Sequence, residues 1–257
     1  MLTIITTPRP LSVESNRYTF LNAIRSWIRL VPRPEILVLG GNRALAESEG
    51  GKWIGNYKAT PQGRPYFDDF IDRAETLATN DILMYCTDHL ILTSGLVPAI
   101  ERVSRAFTGH FVIIGKRWGL HAQKPIDFSN PNWESILWDR VIEADSPGNN
   151  AAKDYIIFRR PLGLTVPGFI MGYPWYDTWL VWAALQANYP VIDASDVVAV
   201  IHQSHKFVEG NVEKRENTPG GQHNRRIGRF QLHLDGKGAI SQATHVLTPN
   251  GVIKCNG

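Results

Sequence analysis

Several short segments of the sequence contain side chains that could bind a nucleotide or a metal ion. Thr6, Thr7 and Arg9 follow an apolar run and offer two hydroxyls and a guanidinium, which suit a base, a ribose or a phosphate. A capped turn explains the same residues. Further along, the carboxylate of Asp88 in Cys86-Thr87-Asp88 could hold a hard divalent cation. A single aspartate is a poor cage, and a helix cap or a turn is an equal interpretation of it.

A later region combines an acid with two histidines. Asp177 stands among aromatic residues, between Trp175 and Trp179, at the start of a helical stripe. This placement suits a general base, and an N-cap aspartate is an equal interpretation. His202 and His205 follow a buried strand, and their spacing could bring one or both rings to a metal ion. Histidines with hydrogen-bond partners in a loop are the commoner outcome for such a pair.

The elements that must position these side chains alternate between strands and helices. Apolar runs at residues 2–6, 36–39, 82–86 and 111–114 predict buried strands, and stripes at helical spacing between them predict helices. This alternation favours an α/β fold, an αβα sandwich of the Rossmann type around a mostly parallel sheet. Ligands collect at the carboxyl ends of parallel strands, where Arg9 and Asp88 stand.

The chain is predicted to form one core with an appended end. Its 257 residues lie between one and two domains of about 150 residues each. The last strand pattern covers residues 197–201, and a polar stretch follows His205. The core is therefore predicted over residues 1–207 and a C-terminal extension over residues 208–257.

Composition and missing motifs exclude several classes of protein. With 43% hydrophobic and 20% charged residues the chain is not intrinsically disordered. No apolar run reaches the ~18 residues of a membrane span, and residues 1–9 lack a secretory signal, so a cytoplasmic location is expected. Cys86 and Cys255 are predicted to be free thiols. The P-loop, dinucleotide-binding, nucleophile-elbow and zincin motifs are missing, which argues against kinases, dehydrogenases, α/β-hydrolases and zincins.

Eight segments spread over almost the whole chain resemble one known group. They are, in chain order, Thr6-Thr7-Pro8-Arg9, residues 80–88 with Ile91-Leu92, Gly115-Lys116-Arg117-Trp118, residues 154–158, residues 175–180, residues 190–194, residues 201–205 and residues 243–251. Together they are similar to GT-A-fold nucleotide-diphospho-sugar transferases, the family 2-like glycosyltransferases of bacteria and plants.

The resemblance implies a metal-dependent, inverting transfer of a hexose from a nucleotide-diphosphate sugar, with a UDP-sugar as the expected donor, to an acceptor hydroxyl. Asp177 matches the acid that deprotonates the acceptor. Asp88 matches the last acid of the D-x-D motif, which binds Mn²⁺ or Mg²⁺, and His202 or His205 completes the metal shell, with His202 favoured. The residues implied to bind the donor are Thr6, Thr7, Arg9, Asp88 and Arg117. Residues 1–117 would bind the nucleotide, and residues 118–207 the acceptor and metal.

Departures from the family pattern leave alternatives open. Cys86 occupies the position of the first D-x-D acid, and Gly119 and His121 stand where two further acids are expected. A catalytically degenerate protein that only binds a nucleotide sugar is therefore the second hypothesis. A nucleotidyltransferase is a third, although its Gly-rich phosphate loop is missing.

The acceptor is the least determined part of the prediction. A glycan or a lipid-linked acceptor suits the eight tryptophans, on which sugar rings could stack. A cluster of cations in the extension could instead track a nucleic-acid backbone and make DNA or RNA the acceptor, although a solvated face is the commoner explanation. The cluster consists of Lys214, Arg215, Arg225, Arg226 and Arg229.

Overall fold

A computed structural model describes residues 1–120, 124–144, 153–203 and 212–255 of the chain. The strands are β1 (Leu2–Thr6), β2 (Glu35–Leu39), β3 (Lys52–Ile54), β4 (Ile82–Cys86), β5 (Leu90–Leu92), β6 (Val112–Ile114), β7 (Trp118–Leu120), β8 (Tyr155–Arg159), β9 (Val191–Asp193), β10 (Val200–Gln203), β11 (His245–Thr248) and β12 (Gly251–Lys254). The α-helices are α1 (Glu14–Trp27), α2 (Arg43–Ser48), α3 (Phe67–Leu77), α4 (Leu96–Ala106), α5 (Trp133–Glu143), α6 (Tyr176–Gln186), α7 (Val212–Glu216) and α8 (Pro219–Arg225).

The central sheet has nine strands in the order β12-β11-β9-β6-β8-β4-β1-β2-β3. Most neighbouring pairs are parallel, which confirms the predicted mostly parallel sheet. Two strands depart from this direction. The edge strand β12 is antiparallel to β11, and β8 runs antiparallel to both of its neighbours, β4 and β6. The amino end of β8 therefore lies at the same edge of the sheet as the carboxyl end of β4.

Helices cover both faces of the sheet, as the αβα prediction requires. Successive residues of a strand point to opposite faces. In β4, Ile82, Met84 and Cys86 belong to the core that α1 and α4 complete, whereas Leu83 and Tyr85 belong to the core that α3 and α6 complete. The predicted α/β fold class is thus confirmed.

A second, three-stranded sheet lies beside the carboxyl end of β4. Its order is β5-β10-β7, with β10 antiparallel to β5 and parallel to β7. The pairing sets His202 of β10 opposite Leu90 of β5. A buried hydrogen bond of 2.8 Å from the Trp27 indole N–H to the Leu90 carbonyl ties this sheet to α1. The small sheet therefore holds His202 next to the loop that follows β4.

The residues after 211 pack onto the core. β11 pairs with β9 and so extends the central sheet, and Leu234, Ile240 and Leu247 are buried in the two cores. The side chain of Asn224 is fully buried and bonds to the backbone of Ile170 and Pro174. The predicted extension thus contributes to the fold, whereas its boundary at residue 208 lies outside the described residues. No helix among the described residues is long and apolar enough to cross a membrane.

Candidate active site

A single large cleft contains most of the residues that the sequence singled out. Its volume is about 2210 Å³, which exceeds the ~300–1,000 Å³ typical of a site for one small ligand. The predicted residues that line it are Thr7, Arg9, Asp88, Arg117, Asp177 and His202. The cleft therefore has more volume than one small ligand occupies.

Arg9 and Asp88 form the first contact in the cleft, which joins the loop after β1 to the loop after β4. The Asp88 carboxylate accepts one hydrogen bond from the Arg9 backbone N–H at 2.8 Å and another from Nε of the same residue at 2.9 Å. The side chain of Asp88 is only 3% exposed. Its Oδ1 also lies 3.0 Å from Nδ1 of His89. Because a carboxylate only accepts hydrogen bonds, Nδ1 of His89 donates. In the neutral ring, Nε2 then carries the lone pair with which a histidine binds a metal.

His89, Asp154 and His202 form a group that could hold a metal ion. One ligand atom from each residue lies within 4.8 Å of the other two. The rings of His89 and His202 meet edge to face, with centroids 4.5 Å apart. The three residues come from distant parts of the chain, and the pairing of β4 with β8 and of β5 with β10 brings them together. Two imidazoles and one carboxylate are a donor set that divalent transition metals accept.

Asp154 is the acid of this group, and its surroundings oppose its ionisation. Burial raises the pKa of Asp154 to about 6, although contact with the guanidinium of Arg117 acts in the opposite direction. The neighbouring Lys153 is buried and places its Nζ 4.0 Å from Oδ2 of Asp177. The ion pairs Arg117–Asp154 and Lys153–Asp177 thus both line the cleft.

Asp177 lies in the first turn of α6, where the exposed N–H groups of the helix favour a carboxylate. The residue two before it, Trp175, has a φ of 96°, a conformation that costs a bulky residue about 1–3 kcal/mol. This left-handed residue turns the chain into α6 so that Asp177 lines the cleft. Its side chain is 23% exposed, so it remains accessible to a substrate.

No family model matches the sequence, and no curated protein matches it. Among solved structures, M. tuberculosis glucosyl-3-phosphoglycerate synthase superposes with a TM-score of 0.50 at 15% identity, over 92% of this chain and 81% of that chain. Residues 1–349 of S. aureus TarS superpose with a TM-score of 0.50 at 14% identity, over 91% of this chain and 71% of that chain. The chain has a GT-A fold.

One of the predicted site residues of this GT-A-fold chain, Thr6, does not line the cleft. Thr6 is fully buried in β1, opposite Val38 of β2. His205 lies outside the described residues, as does His121. Asp88 lines the cleft beside the metal-ligating group rather than within it.

Three residues of the GT-A site were not predicted from the sequence: His89, Lys153 and Asp154. His89 directly follows Asp88, so the strand-end rule that selected Asp88 could have included it. Lys153 and Asp154 precede a strand, and they reach this edge of the sheet only because β8 is antiparallel. The signals for them were a charged pair before the apolar run at residues 155–158 and, for Asp154, its place in one of the segments of the family resemblance.

Three of the five cations in the predicted C-terminal cluster make contacts within the fold. Arg229 pairs with Asp235 at 3.1 Å, and the guanidinium of Arg225 lies 5.6 Å from the Phe230 ring centre. Arg215 lines the cleft and donates to the carbonyl of Gly172. These contacts give Arg215, Arg225 and Arg229 partners within the fold.

Proposed function

We propose that the chain is a metal-dependent glycosyltransferase that moves a hexose from a nucleotide-diphosphate sugar to an acceptor hydroxyl with inversion. The observation that carries this function is that one cleft contains both a metal-ligating group and the Asp177 carboxylate at the start of α6. Lys153, which is next to Asp154 in the chain, pairs with Asp177. The fold supports it, because both similar structures described above have GT-A folds and one is by name a glucosyl-3-phosphoglycerate synthase.

The donor set fits the metal that this fold implies. His89, Asp154 and His202 would hold a divalent cation, and Asp88 would orient His89 through Nδ1. Two nitrogen ligands favour Mn²⁺ over Mg²⁺, which prefers oxygen ligands. A bound cation would neutralise charge that develops on the departing diphosphate. Arg9 and Arg117 line the same part of the cleft and would bind the nucleotide or its phosphates, together with Thr7.

Asp177 is the proposed general base. Its carboxylate would take the proton of the acceptor hydroxyl as the acceptor oxygen attacks the anomeric carbon. The bond between the anomeric carbon and the phosphate oxygen breaks on the opposite side, so the nucleoside diphosphate leaves and the configuration inverts. Lys153, 4.0 Å from Asp177, would hold the carboxylate in place.

Calorimetric titration of the full chain with nucleotide sugars tests this function. We expect one of UDP-glucose, UDP-N-acetylglucosamine and GDP-mannose to bind with Mn²⁺, more weakly with Mg²⁺, and at least tenfold more weakly with a chelator. His202→Ala should lose the metal effect. His233→Asn changes an exposed histidine outside the cleft and is the matched control, because Asn tolerates the φ of 50° at this position. Equal binding with and without chelator would contradict the metal-dependent function.

Binding of the donor without transfer is the second candidate function. Cys86 is fully buried and both carboxylate oxygens of Asp88 contact Arg9, so neither D-x-D position presents an oxygen that is free of protein contacts. Hydrolysis of the bound donor in the presence of Mn²⁺ separates the two functions. Slow release of free sugar, abolished in Asp177→Asn, supports the transferase, and binding with no release supports the degenerate protein.

A further inference from the structure

Two tyrosines in the cleft wall share a hydrogen bond between their hydroxyl groups. Tyr85 belongs to β4 and Tyr176 is the first residue of α6, and their hydroxyl oxygens lie 2.7 Å apart. Both residues line the cleft. Tyr176 directly precedes Asp177, whereas Tyr85 lies two residues before Thr87, whose N–H donates to the Asp154 carbonyl. The hydroxyl pair therefore lies close enough to both Asp154 and Asp177 to interact with them electrostatically.

The two rings are fixed by aromatic residues of α3. The Tyr85 ring packs edge to face on Phe70 with centroids 5.7 Å apart, and the Tyr176 ring contacts Phe67 at 5.1 Å. Both phenylalanines are fully buried. The position of the hydroxyls thus does not depend on their own hydrogen bond, and replacing either tyrosine by phenylalanine keeps this ring packing.

The two hydroxyl groups carry one proton each, and the hydrogen bond between them requires only one of these protons. Burial raises the pKa of Tyr85 and of Tyr176, so both remain protonated at neutral pH. Their mutual hydrogen bond takes one of the two hydroxyl protons. Among the described residues, neither hydroxyl has a further hydrogen-bond partner. One O–H donor and the lone pairs of both oxygens are therefore left for a ligand.

We propose that the Tyr85–Tyr176 hydroxyl pair binds a hydroxyl group of the transferred sugar. The assignment rests on the proposed glycosyltransferase function. In that function the sugar must lie between the diphosphate at His89, Asp154 and His202 and the base Asp177. The tyrosine pair lines the same cleft and interacts electrostatically with both Asp154 and Asp177. A sugar hydroxyl both donates and accepts a hydrogen bond, so it matches a pair that offers one donor and free lone pairs.

The chemistry of the pair makes it a specificity element. A sugar that lacks the matching hydroxyl would leave a desolvated phenol without a partner, and such a site rejects the deficient ligand more strongly than an apolar pocket would. The pair is neutral, so it contributes no charge to binding of the diphosphate. Its effect should therefore be confined to the sugar part of the donor.

The test compares each nucleotide sugar with its bare nucleotide by calorimetry in Mn²⁺. UDP-glucose and UDP-N-acetylglucosamine are paired with UDP, and GDP-mannose with GDP. For the donor that the wild type prefers, we expect Tyr85→Phe and Tyr176→Phe each to lower the affinity about three- to tenfold, while affinity for the bare nucleotide stays unchanged. The double variant should lose little more than either single variant, because the hydroxyls act as one unit. Tyr189→Phe, outside the cleft, is the control for loss of a phenol elsewhere.

The outcomes separate this assignment from the function on which it rests. If the wild type binds a donor but both single variants bind it equally well, the pair does not contact the sugar. If the affinity losses of the two single variants add fully in the double variant, the two hydroxyls do not act as one unit, and the assignment to the pair is overturned. Equal loss of affinity for sugar nucleotide and bare nucleotide indicates a disturbed cleft and also overturns the assignment. A wild type that binds neither form contradicts the glycosyltransferase function itself, and with it the role of the tyrosines.

Discussion

At the scale of single residues, Asp177 is the group whose removal should separate chemistry from binding. It reaches the cleft from the first turn of α6 and pairs with Lys153, whereas Arg9 and Asp88 pair with each other. Asp177→Asn keeps the shape of the side chain but cannot take a proton. We expect turnover to fall about 10²–10⁴-fold, the usual contribution of a general base, with donor affinity nearly unchanged. Initial rates at saturating donor, beside calorimetry of donor binding, measure the two effects separately.

The matched control for this substitution is Asp72→Asn. Asp72 is exposed on α3 and does not line the cleft, so the same chemical change there should leave turnover at the wild-type level. Wild-type turnover in the Asp177→Asn variant would show that Asp177 is not the general base.

The rule for strand ends revealed site residues only where the strand runs in the expected direction. Arg9 and Asp88 follow parallel strands, so the rule that ligands gather at the carboxyl ends of strands selected them. Asp154 stands before its strand, and nothing in the residues 155–158 shows that β8 is antiparallel. Tyr85 was assigned to the apolar run of β4, since an apolar pattern does not show that a phenol oxygen reaches the cleft.

At the scale of elements, the position of α6 depends on the segment after α8. Gly238 packs directly on the first turn of α6, where a Cβ would lie 2.2 Å from the carbonyl oxygen of Thr178. Its φ of 63° is a left-handed conformation, which also favours glycine at this position. Gly236, two residues earlier, has a φ of 69°, but a Cβ added there would have no atom of the described residues within 4 Å. The two glycines share a backbone conformation and differ in contact with the helix that carries Asp177.

This difference predicts unequal effects of the same substitution. Gly236→Ala should cost about 1 kcal/mol, the strain of a left-handed alanine. Gly238→Ala should cost a further ~1–3 kcal/mol, because the methyl group must displace the first turn of α6. Urea unfolding measures both costs, and the turnover of Gly238→Ala should fall with the displaced Asp177 while Gly236→Ala keeps wild-type turnover. Equal stability of the two variants would show that the segment does not hold α6.

The sequence predicted the long elements better than the short ones. Runs such as Ile82–Cys86 are fully buried and therefore apolar throughout, so they match their predicted bounds. The strands β5 and β7 contain three residues each, too few to show a period. Because these short strands position His202 and His89, the sequence indicated one histidine of the metal-ligating group but not how the group assembles.

At the scale of the whole molecule, the two cores include residues from the C-terminal part, beyond residue 207. Three observations indicate that residues 1–207 require the C-terminal part to fold stably. β11 pairs with β9, so its loss would expose the backbone edge of the central sheet. The buried side chain of Leu247 belongs to one core, and those of Leu234 and Ile240 to the other. Asn224 binds the backbone of the loop that precedes α6.

A chain truncated after residue 207 should therefore lose both stability and ligand binding. Removing buried Leu and Ile side chains costs about 2–5 kcal/mol each, and three such losses match the whole stability of a typical domain, about 5–15 kcal/mol. We expect the truncated chain to show no cooperative urea transition and no nucleotide-sugar binding. Asn224→Ala in the full chain is a smaller change, because it removes only the three hydrogen bonds to the loop before α6. This variant should fold, with a lower free energy of unfolding than the wild type. A truncated chain that unfolds cooperatively at the wild-type urea midpoint would show that residues 1–207 form an independent core, and that the C-terminal residues only cover it.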